Sequence, residues 1–217
     1  MKIRIDLKIL IFFAIFYFTN QLKIYLIIMF FCLLHELGHI CMGIVLKMKL
    51  EKIEIMPCGL ASAFQANFDD FNIKIGNTNL LELKKIIIAL SGPIVSLILA
   101  IIFSYIKIPY ITQQEAVYSN LLILFFNLIP LYPLDGGRII KGILEILLDK
   151  EDVETIVDRI SIVTLIILTV ISSIAVYYFK NIAIFLICIF LWIGLKFDSL
   201  REKVINLLLF CDKNSKI

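Results

Sequence analysis

Residues 30–43 have the sequence FFCLLHELGHICMG, which places two histidines and a glutamate inside a run of apolar side chains. An α-helix turns by about 100° per residue, so His39 lies about 40° around the axis from His35, and Glu36 about 100°. All three side chains therefore face one sector of the helix. Two imidazoles one turn apart can hold one metal ion, and the glutamate between them can reach a water molecule on that metal. This stretch thus predicts a metal centre inside an apolar helix.

The alternative is a polar cluster that only joins neighbouring helices. Such a cluster would leave the Glu36 charge within a membrane span, at a cost of at least ~2.5–3.5 kcal/mol. A bound dication with its water offsets this cost directly. The chain has only two histidines, and they stand four residues apart with the glutamate beside the first. We therefore favour the metal centre.

The composition is that of a membrane protein. The chain has 217 residues, of which 61% are hydrophobic, against about 45–50% in soluble domains. A membrane-spanning helix needs about 20 apolar residues. Six segments approach or reach this length: Leu7–Leu22, Ile24–Leu46, Ile86–Ile106, Ala116–Leu134, Ser161–Phe179 and Ile182–Phe197. We therefore predict an all-α membrane protein with about six transmembrane helices, forming a single domain over residues 1–217.

The basic residues predict the orientation in the cell membrane. If the N-terminus is cytoplasmic, 18 of the 21 lysines and arginines fall on the cytoplasmic side. Only Lys23, Lys107 and Lys180 fall on the other side. This asymmetry follows the positive-inside rule, so we expect a multi-pass protein with both termini in the cytoplasm.

Two connecting segments interrupt the apolar pattern. Residues 49–65, KLEKIEIMPCGLASAFQ, alternate around Ile53 and Ile55, break at Pro57–Gly59 and then resume, which predicts a cytoplasmic β-hairpin after the second span. One interpretation makes Ile53 and Ile55 part of an edge strand that binds an extended substrate segment; the other makes the hairpin a simple connector. Residues 138–159 carry charges of both signs and predict a solvated cytoplasmic helix.

The end of the fourth span offers a third metal ligand. Residues 125–138 have the sequence FFNLIPLYPLDGGR, in which Pro130 and Pro133 disrupt the helix. Irregular backbone at membrane depth is tolerated only where it is buried in protein or lines a watery cavity. Asp135 is the candidate ligand, and its alternative role is a helix-end carboxylate paired with Arg138. The amide of Asn127 could hydrogen-bond either a substrate backbone or a neighbouring helix.

These motifs, HELGH at residues 35–39 and NLIPLYPLDGG at residues 127–137, resemble the site-2 protease family of intramembrane metalloproteases. ALSGPIVSL at residues 89–97 is similar to the Gly-Pro segment of that family, although an asparagine often found after it appears here as Ser96. From the residues alone, Gly92–Pro93 is a close-packing point or a kink. The match covers spans two to four, about half of the chain.

The resemblance implies a zinc metalloendopeptidase with His35, His39 and Asp135 as zinc ligands and Glu36 as the catalytic base. The order of the motifs is most similar to the sporulation branch of the family, which matures a sigma-factor precursor at the cytoplasmic membrane face. It also implies a membrane-associated protein substrate and membrane proteins that inhibit or regulate the enzyme, and no nucleic-acid partner. That branch usually carries a nucleotide-sensing CBS domain; about twenty residues follow the last predicted span, so we expect neither a CBS nor a PDZ domain.

Three alternatives stay open at this point. A site-2 protease of another branch would act on anti-sigma factors or on signal-peptide remnants. A metal transporter could use the same ligands, but it needs polar groups along a path on both sides of the metal, and the second span has none for a dozen residues before His35. A catalytically silent relative would only bind partners, which the intact Glu36 disfavours.

Overall fold

The computed structural model describes residues 2–5, 8–56, 59–65, 74–75, 78–107, 109–179, 188–189 and 191–193. The helices are α1 (Lys8–Phe18), α2 (Leu22–Val45), α3 (Leu80–Tyr105), α4 (Gln113–Asn127), α5 (Asp135–Leu147) and α6 (Lys150–Phe179). The strands are β1 (Lys2–Ile5), β2 (Lys49–Met56), β3 (Gly59–Gln65), β4 (Lys74–Ile75) and β5 (Thr78–Asn79). The protein is therefore mainly helical, as predicted.

Among the described residues, three helices are long and apolar enough to cross a membrane: Leu22–Val45, Leu80–Tyr105 and the part of α6 from Asp152 to Tyr178. They correspond to the second, third and fifth predicted spans, and they support a membrane protein. Helix α1 has 11 residues and α4 has 15, so they are about 16 and 22 Å long, shorter than a hydrocarbon core of about 30 Å. Most of the predicted sixth span lies outside the described residues, so the count of six stays a prediction.

Helices α2, α3 and α4 form the centre of the molecule. Ile27 and Phe31 of α2 pack against Ala116 and Ile123 of α4 in one buried cluster. The Phe31 ring, fully buried, meets the ring of Phe103 on α3 with centroids 5.5 Å apart. Large aromatic and branched side chains dominate this contact, as expected where helices pack along apolar faces.

An ion pair joins α2 and α4 near their N-terminal ends. Lys23 Nζ donates to both carboxylate oxygens of Glu115, at 2.9 and 3.1 Å. Glu115 also completes a capping box: its Oε2 accepts from Thr112 N, and Thr112 Oγ1 accepts from Glu115 N. The hydrogen bond from Lys23, followed by those with Thr112, lowers the pKa of Glu115 to about 2. The N-terminus of α4 is thus fixed to α2 by side chains that favour the ionised carboxylate.

The predicted fourth span, Ala116–Leu134, is helical only as far as Asn127. Residues 128–134 are irregular, because Pro130 and Pro133 lack the amide hydrogens that a helix would use and disfavour helical geometry before them. Helix α5 then begins at Asp135.

The single solvated helix predicted over residues 138–159 is wrong. Helix α5 ends at Leu147 and α6 begins at Lys150. Helix α5 also packs on α3 instead of standing free in solvent: a Cβ at Gly142 would lie 2.6 Å from Ile86 Cγ1. Close by, Lys85 Nζ donates to both oxygens of buried Glu82 at 2.9 Å and lies 3.6 Å from Glu145 Oε2 of α5.

The sheet has the order β1-β2-β3. Strand β2 pairs antiparallel with β3, with Ile53 opposite Ser62 and Ile55 opposite Leu60, and parallel with β1, where the same residues face Ile3 and Ile5. The predicted turn at Pro57 and Cys58 lies outside the described residues. Strands β4 and β5 form a separate two-residue pairing.

The interpretation of β2 as an open edge strand is therefore wrong. Both of its edges are hydrogen-bonded, so Ile53 and Ile55 do not offer main-chain groups to a substrate. The pattern KIRI of β1 is too short and too close to the first span to predict a strand. Within the described chain, the free edges of this sheet belong to β1 and β3.

Strand β3 is anchored to the end of α2 that carries His39. A Cβ at Gly43 would lie only 2.2 Å from the ring of Phe64. Phe64 also packs with the buried cluster of Met48, Leu81 and Ile88. The absence of a side chain at Gly43 therefore lets the sheet approach α2 beside the polar site.

Candidate metal centre

Three ligand-type atoms converge between α2 and the start of α5. Nε2 of His35 and Nε2 of His39 lie 3.0 and 3.2 Å from Oδ2 of Asp135, and 3.2 Å from each other. All three residues are buried, with 1–5% of their surface exposed. His35, His39 and Asp135 are the group among the described residues whose geometry can hold a metal ion.

Helix α3 holds the opposite nitrogen of each imidazole. Nδ1 of His39 lies 2.7 Å from the main-chain oxygen of Ile88, and Nδ1 of His35 lies 2.8 Å from Oγ of Ser96. The carbonyl can only accept, so His39 donates from Nδ1 and its neutral ring has an unprotonated Nε2. Metal-ligating histidines typically make this kind of contact through the nitrogen that does not face the metal.

The Nε2 atom of His39 therefore presents a lone pair to the cluster. The Ser96 hydroxyl can accept a hydrogen bond from Nδ1 of His35, which leaves Nε2 of His35 with a lone pair as well. When both rings are neutral and carry their hydrogen on Nδ1, these two nitrogens and the carboxylate oxygen, 3.0–3.2 Å apart, have no hydrogen to share among them. A cation among them removes the repulsion. The donor set thus suits a metal ion better than a hydrogen-bonded cluster.

Gly92 of α3 leaves the space beside these ligand atoms open. A Cβ at this position would lie 2.3 Å from His39 Nε2 and 2.6 Å from His35 Nε2. Any larger residue would therefore occupy the point where the two nitrogens meet. Gly92 is the close-packing point that the sequence suggested, and it borders the site itself.

Glu36 lies beside the cluster without joining it. Its Oε2 is 4.0 Å from His39 Nε2. Its Oε1 is buried and has no hydrogen-bond partner among the residues that the structure describes. A buried carboxylate oxygen without a partner is costly, so this atom is available for a proton or a water molecule at the site.

The segment before Asp135 folds back against the first turn of α5. A Cβ at Gly136 would lie 2.3 Å from Leu128 O, and one at Gly137 would lie 2.4 Å from Tyr132 N. Two glycines are thus required for this backbone contact, which turns Asp135 toward α2. On its other oxygen, Oδ1, Asp135 lies 3.9 Å from Nη1 of Arg138.

The remaining predicted residues, Asn127, Ile53 and Ile55, lie on α4 and β2. Nδ2 of Asn127 donates to Ile123 O within its own helix, at 3.0 Å. Ile53 and Ile55 lie in the central strand. Sequence reasoning missed the roles of Ser96 and of the Ile88 carbonyl. Ser96 could have been noticed, because it is a polar residue four positions after Gly92 in an apolar span. The role of the Ile88 carbonyl could not, because every residue has a main-chain oxygen.

Comparisons with known proteins show what this chain resembles. The model of peptidase family M50 matches residues 111–168. A zinc metalloprotease of Methanocaldococcus jannaschii is 31% identical over 118 residues, which cover 51% of this chain and 31% of that protein. Stage IV sporulation protein FB of Bacillus subtilis is 28% identical over 126 residues, 56% of this chain and 40% of that protein. The matches therefore span less than half the length of either relative.

The solved site-2 protease from Methanocaldococcus jannaschii has the same fold, with a TM-score of 0.69 and 22% identity over 91% of this chain and 90% of that one. The chain thus has the fold of that site-2 protease together with a buried cluster of His35, His39 and Asp135 that could hold a metal ion. More particularly, residues 111–168 match peptidase family M50, which confirms the resemblance predicted from the motifs.

Proposed function

We propose that this chain is an intramembrane zinc metalloprotease. The observation that carries the proposal is the convergence of His35 Nε2, His39 Nε2 and Asp135 Oδ2 next to the unpartnered Oε1 of Glu36. Three protein ligands plus one open position are the arrangement of catalytic zinc sites, whereas structural sites use four protein ligands.

The separations of the ligand atoms support zinc. Ligands about 2.0–2.1 Å from a tetrahedral zinc ion lie about 3.3 Å from one another. The atoms of this cluster are 3.0–3.2 Å apart, so little movement would be needed. Imidazole nitrogens with one carboxylate are also a donor set that zinc accepts readily.

A zinc ion held by His35, His39 and Asp135 would polarise the scissile carbonyl and lower the pKa of a bound water. Residues of this chain carry out the other steps of the reaction. Glu36 accepts a proton from the attacking water at its free carboxylate oxygen and later passes it to the leaving amine. Ser96 and the Ile88 carbonyl keep the two imidazoles oriented. Burial of the site excludes bulk water, which strengthens each of these interactions.

The substrate we propose is a membrane-associated precursor protein cut near the cytoplasmic face. The charge asymmetry of the sequence supports this side, since it predicts a multi-pass chain with both termini in the cytoplasm. In that orientation His39, Asp135 and the sheet lie toward the cytoplasmic side. Similarity to stage IV sporulation protein FB supports a sigma-factor precursor as the leading candidate. Anti-sigma factors and signal-peptide remnants are the alternatives within the same class, and membrane-bound regulators are the expected partners.

A peptide bond must reach the metal in an extended conformation, because a helix hides its carbonyls in its own hydrogen bonds. Since β2 is central, we now propose that the substrate pairs with the outer edge of β3. Phe64 of β3 packs over Gly43, one turn beyond His39, which supports this strand as the one nearest the metal. Asn127 is proposed as a further hydrogen-bonding group for the substrate backbone.

The deciding experiment compares wild type with Glu36→Gln during co-expression with membrane-tethered candidate precursors. We expect cleavage, mapped by mass spectrometry, only in the wild type, and about one zinc per chain in both. His35→Ala should lose both zinc and cleavage. Cleavage by Glu36→Gln, or loss of its zinc, would contradict the roles proposed here, and a cut in the outer half of the bilayer would contradict the proposed side.

A further inference from the structure

We propose that Ser161 and Thr164 of α6 are positioning residues that hold the metal ligand Asp135 in its place. Ser161 Oγ accepts a hydrogen bond from Tyr132 N at 3.1 Å. Thr164 Oγ1 donates to Pro130 O at 3.3 Å. We call these two residues the α6 hydroxyl pair. Both bonds go to the irregular segment 128–134, which leads directly into Asp135.

An irregular segment surrounded by apolar helices needs partners for its main-chain groups. The segment closes some of them locally, from Leu131 N to Ile129 O and from Leu134 N to Leu131 O. From outside the segment, the α6 hydroxyl pair provides an acceptor for the Tyr132 N–H group and a donor to the Pro130 carbonyl oxygen. A main-chain group left unpaired in such surroundings is strongly unfavourable, so these bonds select one position of the segment.

Other hydroxyl groups of α6 donate hydrogen bonds within their own helix. Thr169 Oγ1, Ser172 Oγ and Ser173 Oγ donate to carbonyls of their own helix, at 2.7–2.9 Å. This local bonding is the usual behaviour of serine and threonine inside helices. Thr169 Oγ1 also accepts a hydrogen bond from Trp192 Nε1. Ser161 and Thr164 differ because their bonds go to main-chain groups of the irregular segment, and Ser161 is 99% buried.

Apolar packing alone would not fix the segment so narrowly. Leu131 of the segment and Leu165 of α6 are both fully buried in one cluster. Such contacts are non-directional and tolerate sliding. The hydroxyl bonds add direction on the same face of α6, since residues 161, 164 and 165 are three and four positions apart.

The position of the segment reaches Asp135 through backbone contact. The Cβ positions of Gly136 and Gly137 would overlap with Leu128 O and Tyr132 N, so the first turn of α5 rests directly on the segment. A shift of Tyr132 therefore shifts the residue that carries the third ligand atom. The proposal rests on the metal centre of the proposed function and does not depend on proteolysis.

The test measures zinc affinity of the purified full chain in detergent, by competition with a chromophoric chelator. Ser161→Ala is compared with Ser172→Ala, which removes an equally buried hydroxyl from the same helix without a bond to the segment. We expect Ser161→Ala to bind zinc about 10-fold more weakly or worse, the usual effect of losing a group behind a metal ligand. Ser172→Ala should bind like the wild type.

A second pair of variants keeps the proposal testable if Ser161→Ala does not fold. Thr164→Val keeps the shape of the side chain and loses the hydroxyl, while Thr164→Ser keeps the hydroxyl. We expect weaker zinc binding only for Thr164→Val. In parallel, zinc should slow hydrogen exchange of the Tyr132 amide in the wild type and less so in Ser161→Ala, because coupling between two sites is reciprocal.

The outcomes separate the two proposals. If the wild type binds zinc and both Ser161→Ala and Thr164→Val bind it equally well, the α6 hydroxyl pair has no positioning role. An equal loss in Ser161→Ala and Ser172→Ala would also overturn it, since general destabilisation would then explain the result. A wild type without zinc affinity would instead overturn the metal centre itself.

Discussion

Gly92 lies so close to His39 that a Cβ at residue 92 would stand 2.3 Å from the Nε2 atom of the imidazole. The two residues belong to different helices, α3 and α2, and the same Cβ would also reach His35 Nε2. The approach of α3 thus defines the space in which the ligand atoms meet. The main-chain oxygen of Ile88 and the hydroxyl of Ser96, on the same helix, orient the rings from behind.

Replacing Gly92 by alanine should therefore damage the metal centre more than the fold. The added methyl group would push both imidazoles away from Asp135, and we expect zinc affinity to fall by more than about 10-fold. Chelator competition measures this effect. Gly142→Ala is the control, because its Cβ would meet the side chain of Ile86, which can move, at a contact between α3 and α5. Equal zinc affinity in the two variants would contradict the assignment of Gly92.

Replacing Asp135 tests the third ligand. Asp135→Ala should weaken zinc binding strongly, because two histidines alone leave the ion without enough protein ligands. Asp135→Asn should keep the fold, measured by its thermal transition, and lose activity. Arg138→Gln is the control: Arg138 is 3.9 Å from Asp135 and its side chain is partly exposed, so the pair contributes little. Full activity of both Asp135 variants would mean that another residue completes the site.

The contact between Gly43 and Phe64 predicts a paired effect. Gly43→Ala should displace the Phe64 ring and with it β3, so substrate turnover should fall while zinc content stays unchanged. Phe64→Ala removes the obstructing ring and should also reduce turnover. The double variant should lose less than the two effects added together, since residues in direct contact are not independent. Additive losses in turnover would show that the contact does not position β3.

The outer edge of β3 can be tested with proline at two neighbouring positions. Successive N–H groups of a strand point to opposite edges. One of the two variants, Ala61→Pro or Ser62→Pro, therefore removes a donor to β2, and the other removes a donor at the outer edge. Hydrogen exchange of β2 identifies which is which. We expect the variant with an intact β2 ladder to lose turnover and keep its zinc. Normal turnover in that variant would exclude pairing of the substrate with β3.

The Lys23–Glu115 ion pair predicts an acid-sensitive contact between α2 and α4. The pKa of Glu115 is about 2 in the folded protein, against 4.5 for an ordinary glutamate. A lowered folded pKa means that the carboxylate stabilises the fold above pH 4.5, and that this contribution is lost as the pH falls from 4.5 toward 2. The thermal transition of the wild type should therefore exceed that of Glu115→Gln at pH 6, and the difference should shrink below pH 4. A difference independent of pH would contradict this origin.

The sequence by itself predicted a mainly helical membrane protein and the residues of the candidate metal centre. Periodicity put His35, Glu36 and His39 on one sector of a helix. Apolar length predicted six spans, and α2, α3 and α6 are the described helices long and apolar enough to cross a membrane. Such features depend on residues close together in the chain, where helical geometry alone decides which side chains are neighbours. The breaks at Pro130 and Pro133 were also local, because proline acts on its own turn of helix.

Tertiary structure decided what depends on residues far apart in the chain. The central place of β2 follows from its pairing with β1, some fifty residues earlier, and no local pattern shows which edges of a strand are occupied. The orientation of the imidazoles by Ile88 and Ser96, the space left by Gly92, and the bonds from Ser161 and Thr164 all join separate helices. Main-chain groups take part in several of these contacts, and every residue carries the same main-chain groups, so only the packing of the helices determines which of them meet the metal centre.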